Sequence, residues 1–172
     1  VTATITGDNY TGSLTRTATL EITKAKVTYT IDNKTSVYKS TIVPLTGNVT
    51  GGTVYAGDDL GVTLSTTATS TSDAGTYPIT GTYTNTNYDV TFVDGTYTIT
   101  KKDIKDEDLG NEFSFDSASF VYDGTEKKIE VSNLPSDLSV SYDDNTRTNV
   151  GSQTVTATIT GDNYTGSLTR TA

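Results

Sequence analysis

An eighteen-residue stretch occurs twice in this 172-residue chain. Val1–Ala18 and Val155–Ala172 both read VTATITGDNYTGSLTRTA, 154 residues apart and without one difference. Identity that complete marks a tandem period plus an overlap, not an ancient repeat that has drifted. Residues 1–154 are then one period. What is expected after Ala172 is what stands after Ala18, namely Thr19-Leu20-Glu21-Ile22-Thr23. Any fold must accept the same string at both places.

The string itself is β in pattern. Val1, Ala3 and Ile5 alternate with Thr2, Thr4 and Thr6, the period-2 signature of a strand with one apolar face. Gly7-Asp8-Asn9-Tyr10 reads as a turn. Leu14, Ala18, Leu20 and Ile22 share one parity on the returning strand, so an antiparallel hairpin is expected. The alternation resumes at Val27, Tyr29 and Ile31, and at Leu60, Val62 and Leu64. A long strand is expected from Asp73-Ala74-Gly75 through Tyr83, and a last one over Val90–Thr100. In that last strand Val90 and Phe92 are even while Tyr97 and Ile99 are odd. A β-bulge at Asp94-Gly95 would reverse the facing parity. Lys101–Glu112 (KKDIKDEDLGNE) is charged and aperiodic, a linker or one helical turn. Further strands are expected at Ile129 and Val131, at Leu138, Val140 and Tyr142, and at Val155, Ala157 and Ile159. Tyr88 follows Gly75 by 13 residues, as Tyr164 follows Gly151, and Asn precedes both tyrosines. The period therefore divides into two related modules of about 75 residues, a size at which small domains are only marginally stable.

Composition excludes several functions. The net charge is −9, and an acidic surface repels phosphate backbones, so no nucleic-acid partner is expected. No apolar run reaches the roughly 20 residues of a bilayer span, so no membrane insertion is expected. The chain has no Cys and no His, which removes disulfides, thiolate nucleophiles, zinc–sulfur sites and the commonest general base. With no Cys and no Met, little is left to oxidise, which suits an extracellular setting.

Asp73-Ala74-Gly75-Thr76-Tyr77-Pro78-Ile79 resembles the segment that opens strand F of immunoglobulin domains. There the Tyr forms a corner by bonding backbone upstream. Ile79 stands at the Cys position, and the other module has Gln153 where Tyr77 stands. The chain also resembles the MBG and YDG modules of bacterial surface proteins. Val121-Tyr122-Asp123-Gly124-Thr125, Thr148-Asn149-Val150-Gly151 and Ile159-Thr160-Gly161-Asp162-Asn163-Tyr164 are similar to the YDG type, with its closing strand at Thr19–Thr23. Leu45-Thr46-Gly47, Gly75-Thr76-Tyr77-Pro78-Ile79 and Gly95–Lys101 are similar to the MBG type, which usually has Tyr-Gly where this chain has Tyr38-Lys39. The resemblance implies tandem β-modules of a large secreted, wall-anchored or adhesive protein. It implies no defined ligand.

The carboxylates are explained by turns. Asp58-Asp59, Asp94, Asp123 and Asp143-Asp144 sit where Asp stabilises a turn through side-chain-to-backbone bonds, so no enzyme is expected. The metal candidate is calcium, for which Asp103, Asp106, Glu107, Asp108, Asn111 and Glu112 offer hard oxygen ligands at the module junction. They do not follow the EF-hand spacing. No other cofactor is expected, and the competing reading of the segment is a solvated linker. The tyrosines are either core residues or a carbohydrate-stacking platform.

The expected fold is all-β, with tandem small immunoglobulin-like β-sandwich modules, or alternatively β-grasp-like modules with one crossover helix. The divisions are 1–24, the C-terminal hairpin of a preceding YDG-type module; 25–101, an MBG-type module; 102–112, an acidic linker; and 113–172, a YDG-type module lacking its last strand. The expected function is a structural repeat, stalk or fibre-forming, of a long bacterial surface protein at the cell surface or wall. Its partners would be neighbouring repeats joined head to tail. The rival is an adhesive module that binds host glycan, mucin or a partner protein.

Overall fold

The period-2 alternation becomes strands in the computed structural model, which describes residues 1–172. β1 (Thr2–Ile5) and β2 (Leu14–Thr17) pair with each other as a two-stranded antiparallel sheet of their own. β3 (Ala25–Ile31), β4 (Lys34–Val37), β5 (Gly47–Gly52), β6 (Thr63–Thr66), β7 (Gly75–Thr82), β8 (Tyr88–Val93) and β9 (Gly95–Thr100) follow. They form two sheets, ordered β5-β3-β8 and β4-β9-β7-β6. The sheets face each other closely. A Cβ placed on Gly81 of β7 would come within 2.4 Å of the Phe92 ring of β8, so only glycine fits beneath that ring.

After β10 (Lys102–Asp103) comes a single 3-10 turn, Asp106–Leu109. β11 (Ser139–Asp143), β12 (Thr156–Thr160) and β14 (Leu168–Thr171) make a three-stranded antiparallel sheet. β13 (Tyr164–Thr165) pairs in parallel with β10. The fold is thus all-β and sandwich-like, and it contains no crossover helix of the β-grasp kind. Its pairing is not purely antiparallel, since β3 with β8 and β4 with β9 run parallel.

Three local expectations change. The parity switch at Asp94-Gly95 is present, but its cause is a change of sheet. β8 pairs with β3, whereas β9 pairs with β7 and β4. Gly95 makes the crossing where a Cβ would meet the Asp32 carbonyl oxygen at 2.9 Å. The strand expected around Ile129 and Val131 does not form a ladder, because side chains take its place. Asn145 accepts from the Ile129 amide at 2.9 Å and donates to the Ile129 carbonyl at 2.7 Å, and the Val131 amide donates to the Tyr142 hydroxyl at 2.8 Å. Buried backbone groups need partners, and here polar side chains supply them. Lastly, the 102–112 segment is not a solvated linker, because Ile104 and Leu109 are buried.

Those two residues join a core that crosses the molecule. Ile31, Tyr38, Ile79, Tyr97 and Ile99 from the first two sheets are continuous with Ile104, Leu109, Leu138, Ile159 and Tyr164. A smaller cluster of Val27, Leu60, Tyr88 and Val90 fills the far end of the first module. Burying apolar area is the main stabilising term, and here it is shared across the module boundary.

Candidate functional site

The turn at Gly161–Thr165 is where the two halves meet. Its backbone holds the linker strand, as Lys102 N donates to the Asn163 carbonyl at 3.0 Å and Ile104 N to the Thr165 carbonyl at 3.1 Å. Its Asn163 side chain reaches the first module, accepting from Ala74 N at 2.8 Å and donating to the Asp73 carboxylate at 2.7 Å. The adjacent Tyr77 hydroxyl donates to the Asp73 carbonyl at 2.8 Å. That is the corner bond expected from the immunoglobulin-like segment, although the Tyr77 ring is only half-buried.

Beside it sits a polar cluster around Tyr164. The Tyr38 and Tyr164 rings meet edge to face, 5.5 Å between centroids at 82°, the arrangement that ring quadrupoles favour. Both hydroxyls donate to Asp137 Oδ2, at 3.2 and 2.9 Å. Lys39 Nζ lies 2.8 Å from the same oxygen and donates to the Tyr164 hydroxyl at 2.9 Å. It also stands 5.5 and 5.6 Å from the two ring centroids, within cation–π range. Burial works against the Asp137 carboxylate, but hydrogen bonds from Lys39 and Tyr164 and the Lys39 charge outweigh it and hold its pKa below the usual range. Burial likewise works against the Lys39 ammonium, yet its bonds to Asp137 and Tyr164 carry its pKa above the ordinary lysine value. Burial, then the nearby Asp137 charge, raise the Tyr38 hydroxyl.

Lys39 occupies the position where the resembling family usually has glycine, and the reason for glycine is visible. Its φ is 63°, left-handed backbone that costs a side-chain-bearing residue about 1–2 kcal/mol. The lysine accepts that strain and gains the ion pair across the boundary. Sequence reading noted the Tyr-Gly departure but assigned Lys39 no role. Asp137 carried no signal, because its partners are 98 and 27 residues away in sequence.

The calcium candidates are separated by partners of their own. The Asp103 carboxylate accepts from the Thr165 hydroxyl, Asp106 pairs with Arg170, and Asp108 pairs with Lys102. Asp108 also accepts from Lys105 N at 2.9 Å, closing the 3-10 turn. The Glu112 carbonyl accepts from the Asn133 side chain at 2.9 Å, and Asn111 and Glu112 are exposed beyond the turn. No three acidic groups gather as a metal-holding set. Lys102 and Arg170 thus engage two of the candidate carboxylates, Asp108 and Asp106. Of the tyrosines offered as a stacking platform, Tyr38, Tyr88, Tyr97 and Tyr164 are buried core residues.

One groove is open at the far end of the second module. Ser117–Tyr122 and Asn145–Gln153 line it, with Thr125, Lys127–Ile129, Val155 and Ala172. Phe120, Val121, Tyr122 and Val150 are exposed there.

The family model described as "MBG domain (YGX type)" matches residues 27–98, and the one described as "MBG domain" matches residues 1–26 and 113–172. No curated protein and no solved structure matches the chain.

Proposed function

For a chain that belongs to the MBG domain family, a surface-protein β-module, we propose the role of a stiff structural repeat in a longer extracellular protein. In this reading residues 1–24 close a preceding module, 25–101 and 113–172 are successive modules, and 102–112 is the spacer between them. The spacer is stiff because it is packed. The observation that carries the reading is the core that runs unbroken from Tyr97 and Ile99 through Ile104 and Leu109 to Ile159 and Tyr164. Adjacent domains move relative to one another by default unless their interface is large and apolar. A stalk needs that motion suppressed, and the shared core with the Tyr38–Lys39–Asp137–Tyr164 cluster supplies the restraint.

Rigidity is the test. In weakly aligned NMR samples the amides of 25–101 and of 139–171 should report one common alignment tensor. Two independent tensors would remove the stalk reading. The adhesive reading is favoured by a separate observation, the exposed Phe120 and Tyr122 rings beside the open groove. Binding to immobilised glycans or mucin that is abolished by Tyr122→Ala would support it.

A further inference from the structure

We propose that the groove between Ser117–Tyr122 and Val150–Val155 is an empty strand position, and that its occupant is the Thr19–Thr23 segment of a second copy of this sequence.

The filled version of the site is in the first module. There β9 lies between two neighbours. On one side it pairs antiparallel with β7, Ile79 opposite Gly95, Tyr77 opposite Tyr97 and Gly75 opposite Ile99. On the other it pairs in parallel with β4, Lys34 opposite Tyr97 and Val37 opposite Thr100. Tyr97 and Ile99 are buried as a result.

Residues 113–172 contain the sequence counterparts of both neighbours, and the counterpart of β9 is not among them. Gly151–Val155 corresponds to Gly75–Ile79, counted from Tyr88 and Tyr164. Val121-Tyr122 corresponds to Val37-Tyr38, which makes Ala118–Val121 the counterpart of β4. Residues of both stretches line the groove. Ala118–Val121 belongs to no strand, and Phe120 is 54% exposed where its counterpart Ser36 is buried. Extended-sequence backbone left without a ladder partner is a template for another segment.

The register names the occupant. Val155 and Ala172 exchange backbone hydrogen bonds of 3.0 and 3.1 Å, the place that Ile79 and Gly95 hold in the first module. The next residue would stand where Thr96 does. In this sequence the identical Ala18 is followed by Thr19-Leu20-Glu21-Ile22-Thr23-Lys24, set against Thr96-Tyr97-Thr98-Ile99-Thr100-Lys101. Leu20 then takes the place of Tyr97, opposite Gln153 and Ala118. Ile22 takes the place of Ile99, opposite Gly151 and Phe120. In this chain Leu20 is 75% and Ile22 90% exposed, and Thr19–Lys24 belongs to no strand. One copy thus presents two bare apolar side chains at the inward-facing spacing of a strand, and the other presents a groove lined by the counterparts of both strands that flank β9. The inference rests on the tandem-repeat reading for who supplies the segment, but the shape of the seat does not depend on that reading.

Two samples test it. One is the 172-residue chain mixed with a synthetic peptide spanning Thr19–Lys26, which begins beyond Ala172 and so does not compete with the hairpin already in place. The other is the chain extended after Ala172 by those same eight residues. Saturable one-to-one peptide binding is expected, with amide exchange at Ala118–Val121 and Gly151–Thr154 slowed in both samples. Leu20→Asp or Ile22→Asp in the peptide should each weaken binding by at least about tenfold, because each removes one buried apolar side chain. Protection in the extended chain alone still supports the proposal and assigns the segment to continuation of the same polypeptide. Absence of protection in both samples overturns it, as does a groove that takes a glycan and ignores the peptide. Either result leaves module rigidity unaffected, so failure here is distinguishable from failure of the stalk reading.

Discussion

The two copies of the eighteen-residue string adopt one pairing in two environments. Thr2 faces Thr17, Ala3 faces Arg16, Thr4 faces Thr15 and Ile5 faces Leu14. Thr156 faces Thr171, Ala157 faces Arg170, Thr158 faces Thr169 and Ile159 faces Leu168. The register is the same, yet Val1 is 78% exposed and Val155 7%, Ile5 60% and Ile159 0%, Tyr10 83% and Tyr164 4%. The second hairpin has β11 along one strand and the linker strand against its turn, while the first has only itself. An isolated two-stranded hairpin is marginal in water. The comparison therefore separates what a sequence does by itself from what its neighbours do for it.

Matched substitutions break the comparison most sharply in the core. Ile159→Ala should cost about 3 kcal/mol, because it empties a fully buried site. Ile5→Ala, the same change in the same string, should stay within about 0.5 kcal/mol. Urea unfolding followed at tryptophan-free tyrosine fluorescence reads both, and equal losses would mean that the first hairpin is also packed. Next in size is the turn glycine. A Cβ on Gly161 would meet the Asp137 carbonyl oxygen and Leu138 Cδ2 at 2.9 Å, whereas one on Gly7 would meet only Tyr10, at 3.2 Å. Gly161→Ala should cost about 2 kcal/mol by overpacking and Gly7→Ala close to nothing, read as a difference in Tm.

Tyr164→Phe removes a bond to a charged carboxylate and should cost about 1.5 kcal/mol. Tyr10→Phe should leave the unfolding midpoint unchanged.

The smallest effect belongs to Lys39. Its side chain is 40% exposed, so solvent screens the ion pair and Lys39→Met should cost under about 1 kcal/mol, with no relief at the backbone since the φ of 63° remains. The sign with pH follows from the two shifts. Asp137 has a depressed folded pKa, so its contribution is present above the ordinary carboxylate range and is lost as pH falls through that lowered value. Lys39 has a raised pKa, so its contribution is present below the ordinary lysine value and is lost only as pH climbs through the higher folded one. The gap between the natural chain and Lys39→Met should be widest near neutrality and close under strong acid. A gap that persists in acid would mean that packing of the lysine stem, not charge, carries the contact.

Much of this was legible from residue order where the cause is local. Alternation located β3, β7 and the β8–β9 run, Asp73–Ile79 announced the Tyr77 corner bond, and the odd-even switch across Asp94-Gly95 marked a real discontinuity. The same logic succeeded only in part at Lys101–Glu112. Two apolar residues, Ile104 and Leu109, among eight charges read as a linker or one helical turn; the turn is there at Asp106–Leu109, but both apolar residues are buried because the linker strand docks on a turn sixty residues further on. One of the acids read as a calcium ligand has a partner that sequence could not show either, since Arg170 reaches Asp106 from a distant strand. The joint itself was out of reach, because Tyr38, Asp137 and Tyr164 converge only after both modules have folded.

What the sequence alone determined is pairing. Two copies of one string form one hairpin in one register, because side-chain alternation and a Gly-Asp-Asn-Tyr turn act over fewer than twenty residues and need no third party. What only the tertiary structure decided is whether that hairpin has a core. Ala157 and Ile159 are buried because β11 and the linker lie against them, whereas within residues 1–172 nothing lies against Ala3 and Ile5. Hydrophobic burial depends on which surfaces arrive from elsewhere in the chain, and that information is not contained in the eighteen residues.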